Sequence, residues 1–257
     1  MAGALAQGDP RERIIIALDD MTWEEAGALL EEVGPHVGMA KANAMADRPG
    51  WDFAVAVADQ YGMGLMADGK YHDTDRTMES HLNEATLSGA QLITAHAANK
   101  PEALVAAIRG RNAGRAILAE SANGELDPGI GRILGITVLT SYDDDDSRLE
   151  FGMPVLEKVM QLARRAARVG LDGVVCSVHE LDALEATEAT RGLLKVTPGI
   201  ILPGKQAGSG QKRVATAGEA INRGADFIVV GSAITQAPSP AEAAQQILQD
   251  VTDALRR

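Results

Sequence analysis

Short apolar runs alternate with longer stretches of mixed apolar and charged residues from one end of the chain to the other. Each run is rich in Val, Ile and Leu, which is typical of a strand that is buried on both faces. The runs predict eight strands, at residues 14–19, 36–41, 64–70, 91–96, 132–141, 173–178, 195–200 and 227–234.

The stretches between these runs place their apolar residues at the spacing of one helical face. The clearest are WEEAGALLEEV at 23–33, PVLEKVMQLARRAARV at 154–169 and PAEAAQQILQDVTDAL at 240–255. Strands that are each followed by a helix predict a parallel sheet. Eight such units in 257 residues favour an α/β fold of the (β/α)8 TIM barrel type over an open doubly wound sheet. We expect a single domain over residues 1–257, and no Gly-x-Gly-x-x-Gly follows the first strand to support dinucleotide binding.

One connection does not fit a minimal barrel. The segment GRNAGRAILAESANGELDPGIGR, at residues 110–132, is longer than a normal link between a helix and a strand. Its RAILAES piece is compatible with an extra strand or with part of the barrel, and the pattern does not decide between them.

Composition narrows the class of protein. Hydrophobic residues make up 46% of the chain and aromatic residues only 3%, which predicts an aliphatic core. A net charge of −12 argues against nucleic acid or an anionic membrane as a partner. No run is long enough to span a membrane, and the start MAGALAQGDPRER lacks the features of a secretory signal. The single cysteine, Cys176, fits a reducing compartment and a buried structural thiol, so we expect a cytoplasmic protein.

Charged residues cluster where the predicted strands end. In a TIM barrel function lies at the C-terminal ends of the strands, where Asp68 and Lys70 end the third strand and Asp73 follows it closely. Alternation along a strand points Asp68 and Lys70 the same way. The same face should carry the residues at the other strand ends, namely Asp19, Lys41, His96, Thr140, Ser141, Pro198, Gly199, Gly231 and Ser232. A solvated loop salt bridge is the alternative, but alternating Asp and Lys from three consecutive strands favour a preorganised charged site.

These residues resemble those of the orotidine 5′-monophosphate decarboxylase family over nearly the whole chain. The matching stretches are ALDD at 17–20, DGKYHDTDRT at 68–77, ITVLTS at 136–141, GLDGVVCS at 170–177, VTPGI at 196–200 and VVGSAITQ at 229–236. The Asp-x-Lys-x-x-Asp motif alone is shared by related barrel decarboxylases and aldol-type enzymes. The His-Asp that follows it and the VLTS and LDGVVCS stretches are similar to the orotidine enzyme in particular.

The resemblance implies a role for each matching residue. Lys70, Asp68, Asp73 and Lys41 would form the catalytic set, with Asp73 reaching into the site of the neighbouring subunit of a homodimer. Asp19 would bind ribose hydroxyls, and Thr140 and Ser141 would contact the pyrimidine. Substrate contacts are also implied for Thr77, Pro198, Gly199, Gly231 and Ser232. The partner would be a small nucleoside or nucleotide substrate, without any metal or organic cofactor.

The chain departs from the family where the substrate's 5′-phosphate should bind. The family has an arginine after the glycine of the last strand, where this chain has Ser232, and Pro203 stands near the position of a phosphate-bridging glutamine. Lys205, Lys212 or Arg213 are candidates to supply the missing charge, and the backbone amides around Gly199, Gly208 and Gly231 are candidates to hold an oxyanion. Alternatively, the substrate is an unphosphorylated or modified nucleoside.

Two further features leave alternatives open. The four aspartates at 143–146 suit a solvated loop face better than a metal site. His72 and His96 are interpreted mainly as structural residues or as supports of the site. A catalytically dead barrel that binds nucleotides or partners remains an alternative to a decarboxylase, although the intact set of Asp68, Lys70 and Asp73 argues against it.

Overall fold

The computed structural model describes residues 8–205 and 213–256. Its strands are β1 Ile14–Ala17, β2 Met39–Ala42, β3 Gly64–Tyr71, β4 Leu92–His96, β5 Arg132–Ile136, β6 Gly173–Val175, β7 Leu194–Thr197, β8 Ile200–Ile201, β9 Ala215–Thr216 and β10 Phe227–Val230. Its helices are α1 Trp23–Val33, α2 Trp51–Gln60, α3 Asp75–Leu87, α4 Pro101–Ser121, α5 Asp144–Phe151, α6 Val155–Val169, α7 Leu181–Ala186, α8 Ala217–Asn222, α9 Ser232–Thr235 and α10 Pro240–Leu255.

Eight of the strands close into a parallel barrel. Their order around the barrel is β1, β10, β7, β6, β5, β4, β3 and β2, and every neighbouring pair is parallel. The short strands β8 and β9 pair with each other outside the barrel. The predicted (β/α)8 TIM barrel is therefore confirmed, while its extension as one domain over residues 1–257 stays a prediction.

The strands are continuous apolar runs because both of their faces are buried. In β1, Ile14 and Ile16 pack outward among the helices, whereas Ile15 and Ala17 point into the barrel. The barrel interior is filled by one layered cluster of side chains, which includes Ile15, Met39, Met66, Leu92, Leu134, Val196, Phe227 and Val229. The interior is thus a packed core, as in other barrels of this type, and leaves room for a site only at its ends.

The long segment that the sequence left undecided is mostly helix. α4 continues to Ser121, so RAILAES forms its last two turns: it is not an extra strand but belongs to the barrel as part of the helix between β4 and β5. Gly110 and Gly114 made the segment resemble a loop, but both lie where α4 meets α3. A Cβ at Gly110 would lie 2.0 Å from the carbonyl oxygen of Glu79, and one at Gly114 would lie 3.0 Å from that of Asn83. The glycines permit close helix packing and do not interrupt the helix.

Several predicted strands run too far at their C-terminal ends. The run 132–141 ends as a strand at Ile136, and the run 227–234 ends at Val230, after which Ser232 begins α9. Beyond these ends, Val138 and Leu139 line a cavity at the mouth of the barrel, whereas Ile234 packs in the apolar core around the barrel. Within the described residues, no helix is both long and apolar enough to cross a membrane.

Candidate active site

The C-terminal ends of the barrel strands surround a cavity of about 360 Å³. Except for Asp73 and Thr77, all of the residues for which the resemblance implies a catalytic or substrate-binding role line it. They are Asp19, Lys41, Asp68, Lys70, Thr140, Ser141, Pro198, Gly199, Gly231 and Ser232. The charged residues come from β2, β3 and the segment after β1 on one wall, Thr140 and Ser141 come from the segment after β5, and Ser232 begins α9.

The register that packs the barrel interior also aims the charged side chains into the cavity. Met39 and Met66 point into the interior, and two residues later on the same strands stand Lys41 and Asp68. Because side chains alternate along a strand, Lys41 and Asp68 continue the inward-facing rows at the level where the apolar core ends.

The four charged groups form an alternating chain of carboxylates and ammonium groups. Lys41 Nζ lies 2.7 Å from Asp19 Oδ1 and 3.3 Å from Asp68 Oδ2, and Lys70 Nζ donates to the same Asp68 oxygen. Lys41 and Asp68 are buried, whereas the side chains of Lys70 and Asp19 are 41% and 43% exposed. Lys41 and Asp68 are therefore held inside the protein, and Lys70 and Asp19 are accessible to an incoming ligand.

Asp68 is ionised although it is buried. Burial by itself raises the pKa of this carboxyl, but Lys41 and Lys70 and the hydrogen bonds from Lys70 and Thr94 outweigh that effect and leave the pKa below its ordinary value. A buried carboxylate of this kind is a fixed negative charge in the cavity wall. It repels another anion and binds the adjacent ammonium groups of Lys41 and Lys70.

Lys70 does not reach the cavity by simple alternation. The pairing of β3 with β4 shifts register between Ala67 and Tyr71, and Lys70 has a φ of 46°, in the left-handed region. A non-glycine residue there costs about 1–3 kcal/mol and commonly marks a functional position. The expectation that Asp68 and Lys70 face the same way holds, but a strained bulge, which the sequence alone does not reveal, produces it.

Thr94 on β4 supports the charged groups and was missed in the sequence. Its hydroxyl is completely buried, donates to Asp68 Oδ1 at 2.8 Å and accepts from the backbone N–H of Lys70 at 2.9 Å. One side chain thus orients the carboxylate and holds the bulge at Lys70. Its position on the strand could have indicated this role. Thr94 stands two residues after Leu92, whose side chain points into the barrel, so Thr94 points the same way.

We expect Thr94→Val to lower the free energy of unfolding by about 1–3 kcal/mol, because it leaves a buried carboxylate oxygen and a backbone N–H without partners. Turnover at the site should fall with it, since Asp68 and Lys70 lose their alignment. Denaturant unfolding and steady-state kinetics measure the two effects. Thr94→Ser, which keeps the hydroxyl, is the matched control, and equal losses in both variants would contradict the role given to the hydroxyl.

Asp73 and Thr77 lie outside the cavity of their own chain. Asp73 is exposed, and its carboxylate accepts the N–H of Thr74 at 2.6 Å, a bond that is the main reason its pKa lies below the ordinary value. Its own N–H donates to Asn99 Oδ1 at 3.2 Å. Asn99 is buried and also donates to the carbonyls of Tyr71 and His96. It therefore attaches the loop that contains Asp73 to the end of β4.

His96, His72 and Cys176 differ in how they relate to the site. His96 ends β4 and lies with its ring centroid 5.7 Å from that of His72, but neither histidine lines the cavity. Burial, together with His72 and Lys70 nearby, lowers the pKa of His96, so it is neutral at pH 7. Cys176 is buried against the cavity, and burial raises its pKa to about 12, which excludes a thiolate nucleophile at neutral pH.

The wall of the cavity where the resemblance implies a phosphate lacks a free cation among the described residues. Ser232 is exposed at the start of α9, and Gly199, with a φ of 82°, also lines the cavity. Arg213 is bound to Glu180 and to the carbonyls of Val138 and Leu139, so the idea that it is a free substitute clamp is wrong. Lys205 is exposed and does not line the cavity, while Lys212 and Gly208 lie outside the described residues.

The four aspartates form the start of a helix and do not make a loop face. Asp143 caps α5 by accepting the N–H groups of Asp145 and Asp146 at 3.0 and 2.9 Å, and Asp144 accepts the N–H of Val155 at 2.9 Å. Carboxylates are favourable at a helix N-terminus, which accounts for the run. Among the described residues, no group of three or more His, Cys, Asp or Glu side chains could hold a metal ion.

Comparison with known proteins agrees with this geometry. Residues 12–247 match the model of the orotidine 5′-phosphate decarboxylase / HUMPS family. An orotidine 5′-phosphate decarboxylase of Methylobacterium radiotolerans is 38% identical over 95% of this chain and 97% of its own, and one of an Anaeromyxobacter species is 39% identical over 93% and 97%. The crystal structure of the Lactobacillus acidophilus orotidine 5′-phosphate decarboxylase superimposes with a TM-score of 0.75 at 28% identity, covering 93% of this chain and 99% of that one.

Proposed function

The chain belongs to the orotidine 5′-phosphate decarboxylase / HUMPS family, and from this premise we propose that it is a carboxy-lyase acting on orotidine 5′-monophosphate or a closely related orotidine-type nucleoside. The products are CO2 and the corresponding uridine compound, which places the reaction in pyrimidine biosynthesis. The observation that carries the proposal is the alternating set of Asp19, Lys41, Asp68 and Lys70 at the mouth of the barrel.

The walls of the cavity suit the parts of such a substrate. Thr140 and Ser141 offer hydroxyl groups to the polar edge of a pyrimidine, beside the apolar surface of Ile136 and Val138. Asp19 is half-exposed and can accept hydrogen bonds from ribose hydroxyls while it holds Lys41. The orotate carboxylate then faces Asp68 and Lys70.

Decarboxylation needs a cation at the carbon that loses CO2. The bond from C6 of the pyrimidine to the carboxylate breaks, CO2 leaves, and the electron pair stays on C6 without an adjacent carbonyl to delocalise it. The Lys70 ammonium stabilises this carbanion and transfers a proton to C6. Solvent then returns a proton to Lys70, and neither a metal nor an organic cofactor takes part.

Asp68 and Lys41 prepare this step. Because Asp68 is buried and ionised, it repels the substrate carboxylate and favours its departure, while its ion pair holds Lys70 in place. Lys41 neutralises part of that charge from the buried side and keeps the pair in place. Binding of the ribose and any phosphate, remote from C6, offsets the cost of bringing like charges together.

We further propose a homodimer in which Asp73, and Thr77 beside it, complete the site of the partner subunit. The support is that Asp73 is an exposed carboxylate on a well-anchored loop next to the cavity but outside it. A cytoplasmic location is proposed on the single cysteine, which is free and buried.

Ser232 favours a second form of the proposal, in which the substrate lacks the 5′-phosphate. Among the described residues that line the cavity, the cations are Lys41 and Lys70, and both bind carboxylates of the chain. A side-by-side decarboxylation assay with orotidine and orotidine 5′-monophosphate decides between the two forms. Absence of turnover with both compounds would overturn the proposed function.

We expect Ser232→Arg to improve kcat/KM for the phosphorylated substrate about tenfold or more relative to orotidine, since a charge-assisted hydrogen bond contributes about 1.5–3 kcal/mol. Ser232→Gln, of similar length but uncharged, is the control. If the natural protein already prefers the phosphate strongly and Ser232→Arg leaves that preference unchanged, another cation holds the phosphate.

A further inference from the structure

A buried ion pair joins the loops that form one wall of the cavity, and it makes no contact with the four charged groups of the site. Arg213 donates through Nη1 to Glu180 and through Nη2 to the carbonyl oxygens of Val138 and Leu139, at 3.3 and 3.1 Å. Glu180 is 3% exposed and the Arg213 side chain is 12% exposed. The pair is therefore largely removed from solvent.

Each acceptor of Arg213 belongs to a segment that lines the cavity. Val138 and Leu139 lie on the wall directly before Thr140 and Ser141, past the end of β5 where the sheet no longer holds the backbone. Glu180 also accepts the N–H of Ser177 at 2.8 Å, which fixes the turn that follows Cys176 after β6. Two neighbouring loops of the mouth are thus tied to one guanidinium.

Arg213 itself is anchored to a third segment. Two residues later, Ala215 begins β9, which pairs with Ile200 of β8, and Ile200 follows Pro198 and Gly199 on the cavity wall. The guanidinium therefore connects the segments after β5, β6 and β7. A planar group with several fixed donors can hold such acceptors together, which a lysine ammonium on a flexible stem does less well.

We propose that Arg213, with Glu180, is a positioning residue that holds Thr140 and Ser141 in place for the pyrimidine of the substrate. This inference rests on the proposed function for the identity of the ligand. Stability alone is a weak reason for the pair, since apolar residues in place of a buried ion pair are often as stable. Its acceptors lie on the functional face of the barrel and include backbone carbonyls of the pocket wall.

The test is Arg213→Lys, assayed for decarboxylation and for binding of the product, uridine 5′-monophosphate or uridine, by calorimetry. Thr140 and Ser141 contact the base before and during the reaction, so their displacement should raise KM and the product Kd about tenfold or more. The value of kcat should change by less than about threefold, because Lys70 and Asp68 stand on another strand. Glu180→Gln, which keeps the shape of the side chain, should give the same pattern if Arg213→Lys does not fold.

The matched control is Arg111→Lys. Arg111 is 14% exposed and binds Asp172 Oδ2 at 2.9 Å, and Asp172 also holds the N–H of Ile133 at the opposite end of β5. This variant should lower the melting temperature to a similar extent without changing KM or Kd. If Arg213→Lys lowers only the melting temperature, the positioning role is refuted. A natural protein that binds the product but releases no CO2 would refute the proposed function alone, because the Kd comparison still tests Arg213.

Discussion

Lys70→Ala should abolish decarboxylation while leaving the barrel folded. Lys70 combines two contributions at C6, stabilisation of the carbanion and delivery of the proton. Removal of a general acid costs about 10²–10⁴-fold in rate, and loss of a charge that stabilises the transition state costs about 10²–10³-fold. Lys41 cannot replace it, because its ammonium is buried between Asp19 and Asp68.

The fold should tolerate the change because the Lys70 side chain is 41% exposed. Partly exposed ion pairs contribute about 0–1 kcal/mol, and Asp68 keeps Lys41 and Thr94 as partners. Denaturant unfolding should give a free energy within about 1 kcal/mol of the natural protein. Lys100→Ala, which removes an exposed lysine from the loop after β4, is the control and should remain active. Near-normal turnover by Lys70→Ala would remove Lys70 from the mechanism.

The sequence predicts the barrel because a strand that is buried on both faces is a continuous run of apolar residues. The starts of β1 and β3 and the full bounds of α1 and α10 coincide with the patterns from which they were predicted. Strand ends are less visible, since apolar residues continue beyond them for other reasons: Val138 and Leu139 line the cavity, and Ile234 packs at the start of a helix. Apolar patterning records burial and does not say what buries a residue.

The helix α4 shows a second limit. Gly110 and Gly114 are unfavourable in a helix by local propensity, and a pattern-based prediction therefore sees a loop. The close approach of α3 makes them necessary, because a side chain at either position would meet the backbone of α3. That requirement comes from contacts between helices and is absent from the local sequence.

The sequence predicted the charged residues of the site but not the polar residues that hold them in place. Asp68, Lys70 and Lys41 stand out as charges at strand ends, whereas Thr94 and Asn99 are single polar residues near an apolar strand. Their importance depends on hydrogen bonds to Asp68, Lys70 and the loop of Asp73, which only the folded chain brings within reach. The left-handed backbone at Lys70 is likewise a product of the shifted pairing of β3 with β4.

The proposed sharing of Asp73 leads to a second large effect. Asp73→Ala should lower decarboxylation by about a hundredfold or more, as expected for loss of a charge that organises the transition state. Its fold should be intact, because the carboxylate is exposed and its backbone N–H, which binds Asn99, is unchanged. Taken alone, this loss does not tell which subunit's site contains the carboxylate.

Mixing inactive subunits answers that question. When Asp73→Ala and Lys70→Ala chains are combined, one site of each hybrid dimer receives Lys70 from one chain and Asp73 from the other. Random exchange in a two-fold dimer should therefore restore about a quarter of the natural activity. Lys70→Ala mixed with the double variant Lys70→Ala/Asp73→Ala is the matched control and must stay inactive, since no dimer then contains Lys70. An active protein that is strictly monomeric, or subunits that exchange without recovery of activity, would show that Asp73 does not act across an interface.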